Sequence, residues 1–406
     1  MKKLDVIFRG WNQDWVLGTL AEAAGKIYFE YSALALKRGI EHSPHVLPLA
    51  PGAHTDFPPH LNGLPGFIND ALPDGWGMRL MDRLFRLADR EPATVSPLDR
   101  LSFIGERAMG ALAFKPSADA SMTPADLSLQ ALAESARALI EDEAVDALNT
   151  LAWLGGSPHG ARPKVLVQYD ASSGRVSTNA DAPGEPWLVK FQAATEHAEV
   201  CAVEQVYADM ARTCGIDMPP SRHFALGKNL AAFGVARFDR EQGARVPVLS
   251  TAAALHVNFR EPCLDYVTLL RIVRFFSRDE REVLKAYRQC VFNVVFNNQD
   301  DHAKNFALRM GSDMHWRLSP AFDLTFARGP GGQHQTSVAG SGVPGRDDLL
   351  RLADQGGVAR STAEVMIEQL RDQGALLAGA LKNTKIRAIT VRDMLSAVSE
   401  NIKRCA

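Results

Sequence analysis

A lysine inside an apolar strand constrains this chain more than any other feature. "PWLVKF" (186–191) reads as β, and Lys190 stands between Val189 and Phe191. An ammonium group in that setting is costly unless an anion meets it. The strand therefore has to lie against an element carrying an inward acid. Residues 197–214 supply one. Val203, Val206, Tyr207 and Met210 recur at helical spacing, and Gly215 stops the helix. Glu204 shares a stripe with Val200, Cys201, Ala208 and Ala211, all small or apolar, so its carboxylate faces inward. The alternative is a lysine snorkelling from an edge strand and a half-exposed glutamate.

A second crowding lies downstream, in "VFNNQDDHAKNFAL". Asp300, Asp301, His302, Lys304 and Asn305 gather just after an apolar helical run. A solvated loop at a helix end is the plain reading. The spacing allows a sharper one. Asp300 has an asparagine five residues on, the offset of a kinase catalytic loop, in which the Asp takes a hydroxyl proton and the Asn binds Mg²⁺. Asp301 is out of that register. A second Mg²⁺ carboxylate is expected after a short hairpin, and Asp323 in "LSPAFDLT" is so placed. Such sites use few protein oxygens, with water and phosphate completing the octahedron. One strand before Lys190, "GGSPHGARPK" (155–164) has the glycines of a phosphate cradle. It is no Walker A loop, because no Lys-Ser/Thr follows Gly160. Ser157 lies at its tip as a candidate for phosphorylation. HExxH, GxSxG and a GxGxxG after a strand are missing. Cys290 reads as packing.

The 406 residues are 46% apolar and 23% charged, which suits a globular protein with two or three subdomains. The net charge of -2 advertises no nucleic-acid surface. Five scattered cysteines without a CxxC pair argue against a disulfide framework or zinc site and fit a reducing compartment. "MKKLDVIFRGW" carries Asp5 and Arg9 where a signal peptide would be apolar, and no run is long enough to span a bilayer. The expected location is cytoplasmic, with no membrane contact. Residues 1–125 read as a β-rich subdomain, with strands "LDVIF", "DWVLGTLA" and "KIYFEY". A proline-rich loop follows, then a helix beyond the Pro73-Asp74-Gly75 turn. Residues 116–126 read as a linker. Residues 126–245 form an α/β core that opens with one helix over 128–154, carried by Leu129, Leu132, Ala136, Leu139 and Ile140. Residues 246–406 form a mostly helical lobe. In it Ser277 and Glu280 are expected to make a capping box, and 329–345 to be a mobile loop.

The ordered set "IYFEYSALALKRG", "LPDGWG", "GGSPHGARPK", "WLVKF", "VARFDR", "DDHAKNF" and "LSPAFD" resembles the HipA-type serine/threonine kinases of bacterial toxin–antitoxin systems, over nearly the whole chain. The resemblance implies an α+β, kinase-like two-lobe fold with a β-rich N-terminal subdomain and a helical C-terminal lobe. It also implies the cofactors ATP and Mg²⁺ and transfer to protein serine or threonine. Carried over residue by residue, Asp300 is the catalytic base, and Asn305 and Asp323 hold the metal. Lys190 binds phosphates, with Glu204 as its partner. His159, Gly160, Ala161, Arg162, Pro163 and Lys164 cover the phosphates. Ala236, Arg237 and Phe238 meet adenine, and His302, Ala303, Lys304, Asn305 and Phe322 complete the nucleotide site. Ser157 is the autophosphorylated serine, whose dianion would eject the loop and switch the activity off. Ala236 stands where some relatives have an acid and Phe322 where a tyrosine can occur. Pro158 and Pro163 stiffen the loop.

The implied partners are a helix-turn-helix antitoxin (HipB-like), operator DNA mainly through that antitoxin, and a translation-related protein substrate such as an aminoacyl-tRNA synthetase. The basic stretch Lys382, Lys385, Arg387 and Arg392 reads as a solvated helix face rather than a phosphate contact. Two alternatives stay open. One is a catalytically silent co-repressor scaffold that binds antitoxin and DNA. The other is a small-molecule phosphotransferase, for which "LPDGWG" has no use.

Overall fold

"KKLDVIF" alternates polar and apolar residues, and β1 (Lys2–Phe8) buries Leu4, Val6 and Phe8 on one face. The computed structural model describes residues 1–118, 128–140, 146–154, 158–179, 181–227 and 229–406. β2 (Trp15–Ala23) and β3 (Lys26–Tyr31) continue the meander. Ser32 caps α1 (Ala33–Arg38), and β4 (Ala53–His54) closes one edge of the sheet. Short α2 (Gly66–Asn69) precedes α3 (Gly75–Leu87) and α4 (Pro97–Ile104), the last held by a Ser96/Asp99 capping box. β5 (Leu112–Lys115) then returns beside β1, giving an antiparallel sheet in the order β4-β3-β2-β1-β5.

Two helices, α5 (Leu129–Ile140) and α6 (Asp146–Leu154), stand where a single helix was expected over 128–154. Leu129, Leu132 and Ala136 are buried as their spacing implies. Residues 119–127 of the expected linker, residues 141–145 and the side chains of Leu139 and Ile140 lie outside the described residues.

β6 (Lys164–Asp170), β7 (Arg175–Ser177), β8 (Glu185–Phe191), α7 (Glu199–Thr213), β9 (Ser221–Gly227) and β10 (Leu230–Ala236) form the middle layer, ordered β7-β6-β8-β10-β9. Lys190 is therefore on the central strand, not an edge, which removes the snorkelling alternative. α7 packs across the sheet and ends before Gly215, whose φ of 70° needs the left-handed region. A second apolar core lies under this sheet and takes in Trp76 and Leu80 of α3.

β11 (Arg240–Glu241) and β12 (Ala244–Arg245) make a small hairpin. Beside it, buried Asp239 accepts from Arg237 and Arg240 at 2.7 and 2.9 Å and from the Gly110 N–H at 2.8 Å. This knot ties the N-terminal part to the middle layer. After it come β13 (Val248–Ser250), α8 (Thr251–Leu255), β14 (Leu264–Asp265), α9 (Tyr266–Ser277), α10 (Glu280–Val295), β15 (Ala307–Met310), β16 (Trp316–Leu318) and β17 (Thr336–Ser337). The helices α11 (Arg346–Gly356), α12 (Arg360–Ala375), α13 (Leu377–Ala380) and α14 (Ala388–Arg404) finish the lobe.

Three expectations are corrected here. Asp279, not Ser277, caps α10, its side chain accepting from the Arg281 N–H at 2.9 Å. Ser277 is instead the last residue of α9, with Arg278 turning left-handed after it. The stretch 329–345 is built rather than loose: His334, Thr336 and Val338 are buried, and β17 pairs in parallel with β14. The basic stretch is not a helix face as expected: Lys382, Lys385 and Arg387 lie exposed in the connection between α13 and α14, and Arg387 reaches Glu199 of α7 at 2.6 Å.

Candidate active site

β6 and β8 are neighbours, and their register places Lys164 directly opposite Lys190. Both are buried in the wall of a cleft of about 750 Å³. Two ammonium groups across one strand pair oppose folding unless anions share the space. Lys190 Nζ lies 2.9 Å from Glu204 Oε2 and also contacts Asp323. Burial alone would lower the lysine's pKa. The Asp323 and Glu204 carboxylates override it and hold Lys190 well above the ordinary range. Among the described residues Lys164 has no such pairing. Its Nζ donates to the His159 carbonyl, and burial beside Lys190 pushes it down to about 8. Glu204 is itself shared with Arg162, whose Nε reaches Glu196 at 2.9 Å.

The glycine-rich turn closes one side. Gly160 has φ of 108°, and a Cβ there would collide with Lys164 Nζ. Its N–H donates to Asp74, and its carbonyl accepts the Trp76 N–H at 3.1 Å. The Ala161 carbonyl accepts from Arg79 at 3.0 Å. His159 Nε2 lies 3.0 Å from the Leu72 carbonyl. Burial and the Lys304 ammonium push the His159 pKa down to about 3, so the ring is neutral. Thus "LPDGWG" reaches the cleft as a clamp on this turn.

The opposite side is the loop after α10. Asp300 is half-buried, and its Oδ1 accepts from Gln335 Nε2 at 2.9 Å. Asn305 Nδ2 donates to the Asp300 carbonyl at 2.7 Å, which leaves the Asn305 amide oxygen for another partner. Burial raises the Asp300 pKa, and the nearby Asp323 and Asp301 carboxylates add to the rise against His302 and Lys190. His302 Nδ1 accepts the Lys304 N–H at 3.2 Å and caps a short turn over Ala303–Asn305. Lys304 Nζ lies 3.1 Å from Asp74 and 4.5 Å over the Phe259 ring. Asp323 takes a left-handed φ of 57° and keeps 38% of its side chain open. Non-glycine residues held this way cost about 1–3 kcal/mol and cluster at functional sites. Lys190 and Lys164 outweigh burial and keep its carboxyl well below the usual range.

Ala236, Arg237 and Phe238 line the far end, with the Phe238 and Phe322 rings 5.5 Å apart. The N–H groups of Ala236 and Arg237 turn away, to the Pro220 and Pro186 carbonyls at 2.8 and 2.9 Å. Among the described residues the Phe238 N–H has no such partner.

Three expected contact residues do not line the cleft. Glu204 lies behind Lys190 and acts through it. Ala303 packs with Ala252 and Leu264. Pro163 gives its carbonyl to the Phe191 N–H at 2.8 Å. Ser157 lies outside the described residues. Sequence reasoning missed three participants: Asp74, which it read only as a turn, Gln335, and Asp301. Asp301 is fully buried and accepts from Tyr266 Oη at 2.9 Å, His334 Nδ1 at 2.8 Å and the Gln335 and Thr336 N–H groups at 2.9 and 3.2 Å. No three His, Cys, Asp or Glu side chains gather into a metal cage among the described residues.

A buried lysine–glutamate pair, an aspartate–asparagine loop and a following aspartate gather at one cleft. Family models place the chain: the HipA-like C-terminal domain matches residues 156–375 and the HipA N-terminal domain residues 9–115. The chain belongs to the HipA family. The fold is similar to that of Shewanella oneidensis MR-1 HipA, solved with HipB and operator DNA, at a TM-score of 0.73 and 16% identity, covering 99% of this chain and 97% of that one. A Helicobacter pylori proinflammatory kinase, CtkA, aligns with a TM-score of 0.43 and 13% identity over 60% of this chain and 89% of its own. A comparison with curated proteins finds no match. Among the described residues no helix is long and apolar enough to cross a membrane.

Proposed function

We propose that the chain is a Mg²⁺- and ATP-dependent protein serine/threonine kinase, the toxin of a toxin–antitoxin module, which modifies a translation-related protein and its own Ser157. The observation that carries this reading is the convergence of Lys190, paired to Glu204, with Asp300, Asn305 and Asp323 on one cleft. Opposed Lys164 and Lys190 suit a polyanion, as the phosphates of ATP provide. The amide oxygen of Asn305, without a partner among the described residues, and the open carboxylate of Asp323 are the hard oxygens that Mg²⁺ takes. Bound there, the metal would neutralise phosphate charge. Asp300 would accept the proton of the serine hydroxyl as its oxygen bonds to the terminal phosphorus and ADP departs. Lys190 and Lys164 would hold the phosphates, and Phe238 and Phe322 would flank the base. A HipB-like antitoxin is the proposed partner, with operator DNA reached through it, by analogy with the Shewanella complex.

Intact mass and phosphopeptide mapping after incubation with Mg²⁺-ATP test this reading. One phosphate on Ser157, missing in Asp300→Asn, is the expected result. No transfer to the chain or to any lysate protein would sink it. Gly160→Ala adds a second check. The new methyl displaces Lys164 and strains a positive φ, so ATP binding by calorimetry should weaken about tenfold, roughly 1.4 kcal/mol.

A further inference from the structure

We propose that Gln335 is a positioning residue for Asp300, supplied by a segment that the kinase reading leaves without a role; the inference rests on that reading. From His334 to Val338 burial alternates through a bend at Gln335 and into β17: His334, Thr336 and Val338 are buried, while Gln335 and Ser337 are half-exposed. The buried members are pinned. His334 Nδ1 is 2.8 Å from Asp301 Oδ2, and the Thr336 hydroxyl donates to the Asp301 carbonyl. The backbone N–H groups of Gln335 and Thr336 both donate to Asp301 Oδ1, at 2.9 and 3.2 Å. Pairing of Thr336 with Leu264 and of Ser337 with Asp265 fixes the register from the other side. A one-residue slip would turn Gln335 inward and break every one of these contacts.

The side chain that this frame presents reaches Asp300. Gln335 Nε2 donates to Oδ1 at 2.9 Å, and no described residue donates to Oδ2. Asn305 holds the Asp300 carbonyl at 2.7 Å. Backbone and carboxylate are thus fixed from two segments, one oxygen is occupied, and the other is left for the acceptor hydroxyl. A base held at a set angle reacts more often than one free to rotate. The adjacent acids have divided the work: Asp301 anchors the segment, and the segment aims Asp300.

The test measures transfer of label from Mg²⁺-ATP to the chain and to lysate proteins, for the wild type, Gln335→Ala, Gln335→Glu, Asp300→Ala and the double variant Asp300→Ala with Gln335→Ala. Gln335→Ala should lower the rate at saturating ATP about tenfold with an unchanged KM for ATP, since the glutamine touches the base and not the nucleotide site. Gln335→Glu keeps the shape but sets carboxylate against carboxylate, so it should be at least as slow. In the Asp300→Ala background, loss of Gln335 should cost nothing more. A Gln335→Glu chain with the wild-type rate, or a Gln335→Ala defect confined to KM or to the thermal midpoint, would overturn the inference alone. A wild-type chain that transfers no label would overturn the kinase reading, and this inference with it.

Discussion

Asp300→Asn should slow phosphate transfer by orders of magnitude while leaving the protein at least as stable as the wild type. The two halves of that expectation have different causes. A positioned general base contributes about 10²–10⁴ in rate. Asparagine cannot take a proton, so a loss of about 10³-fold is expected, close to 4 kcal/mol of barrier at about 1.4 kcal/mol per decade. Stability moves the other way. Burial and the Asp323 and Asp301 carboxylates raise the folded-state pKa of Asp300. A carboxyl raised on folding is destabilising when ionised, and the penalty is present at neutral pH and relieved as pH falls through the folded pKa. The amide removes that penalty and can still accept from Gln335 Nε2. Urea midpoints at pH 7 and label transfer, measured on one preparation, check both halves. An inactive variant that had also lost stability would show that Asp300 is structural, and the assignment of the base would fall.

The parts of the site that were legible in the sequence are those whose residue types are costly anywhere else. Lys190 in an apolar strand and Glu204 on an apolar stripe each required a partner, and they meet at 2.9 Å. The Asp300–Asn305 spacing and the hairpin before Asp323 likewise survive folding as one cluster. What was not legible depends on contacts between distant segments. "GPGGQHQTSVAGSGVPG" has the composition of a loose loop, yet a single buried carboxylate 35 residues from Thr336 organises it. Asp301 was set aside because it lacked the right spacing, which is the spacing of a catalytic residue and not of an anchor. Asp74 looked like turn chemistry because its partners, Gly160 and Lys304, are 86 and 230 residues away. β7 and β9 carry little strand signal because they are sheet edges, where polar residues are tolerated and alternation fades.

The neighbouring substitution, Asp301→Ala, should do the reverse of Asp300→Asn and act first on the fold. Asp301 is fully buried, and its side chain accepts from Tyr266 Oη, His334 Nδ1 and two backbone N–H groups. Tyr266 Oη also accepts from Asn293 Nδ2 at 2.9 Å, so the network reaches the last turn of α10. Removing one partner from a buried charged network costs about 3–5 kcal/mol, because the groups left behind remain desolvated and unpaired. That is a large share of the roughly 5–15 kcal/mol that holds a typical domain together. A urea midpoint lowered in proportion, with an unchanged slope, is the expected result. Asp301→Asn keeps the volume and one acceptor oxygen but turns an N–H₂ toward donors, so it should fall between alanine and the wild type. If the alanine variant kept its midpoint, water would be filling the site. The segment carrying Gln335 would then owe its position to β14 pairing alone, and transfer should survive in that variant. A lowered midpoint together with lost transfer ties the anchor and the base to one structural unit.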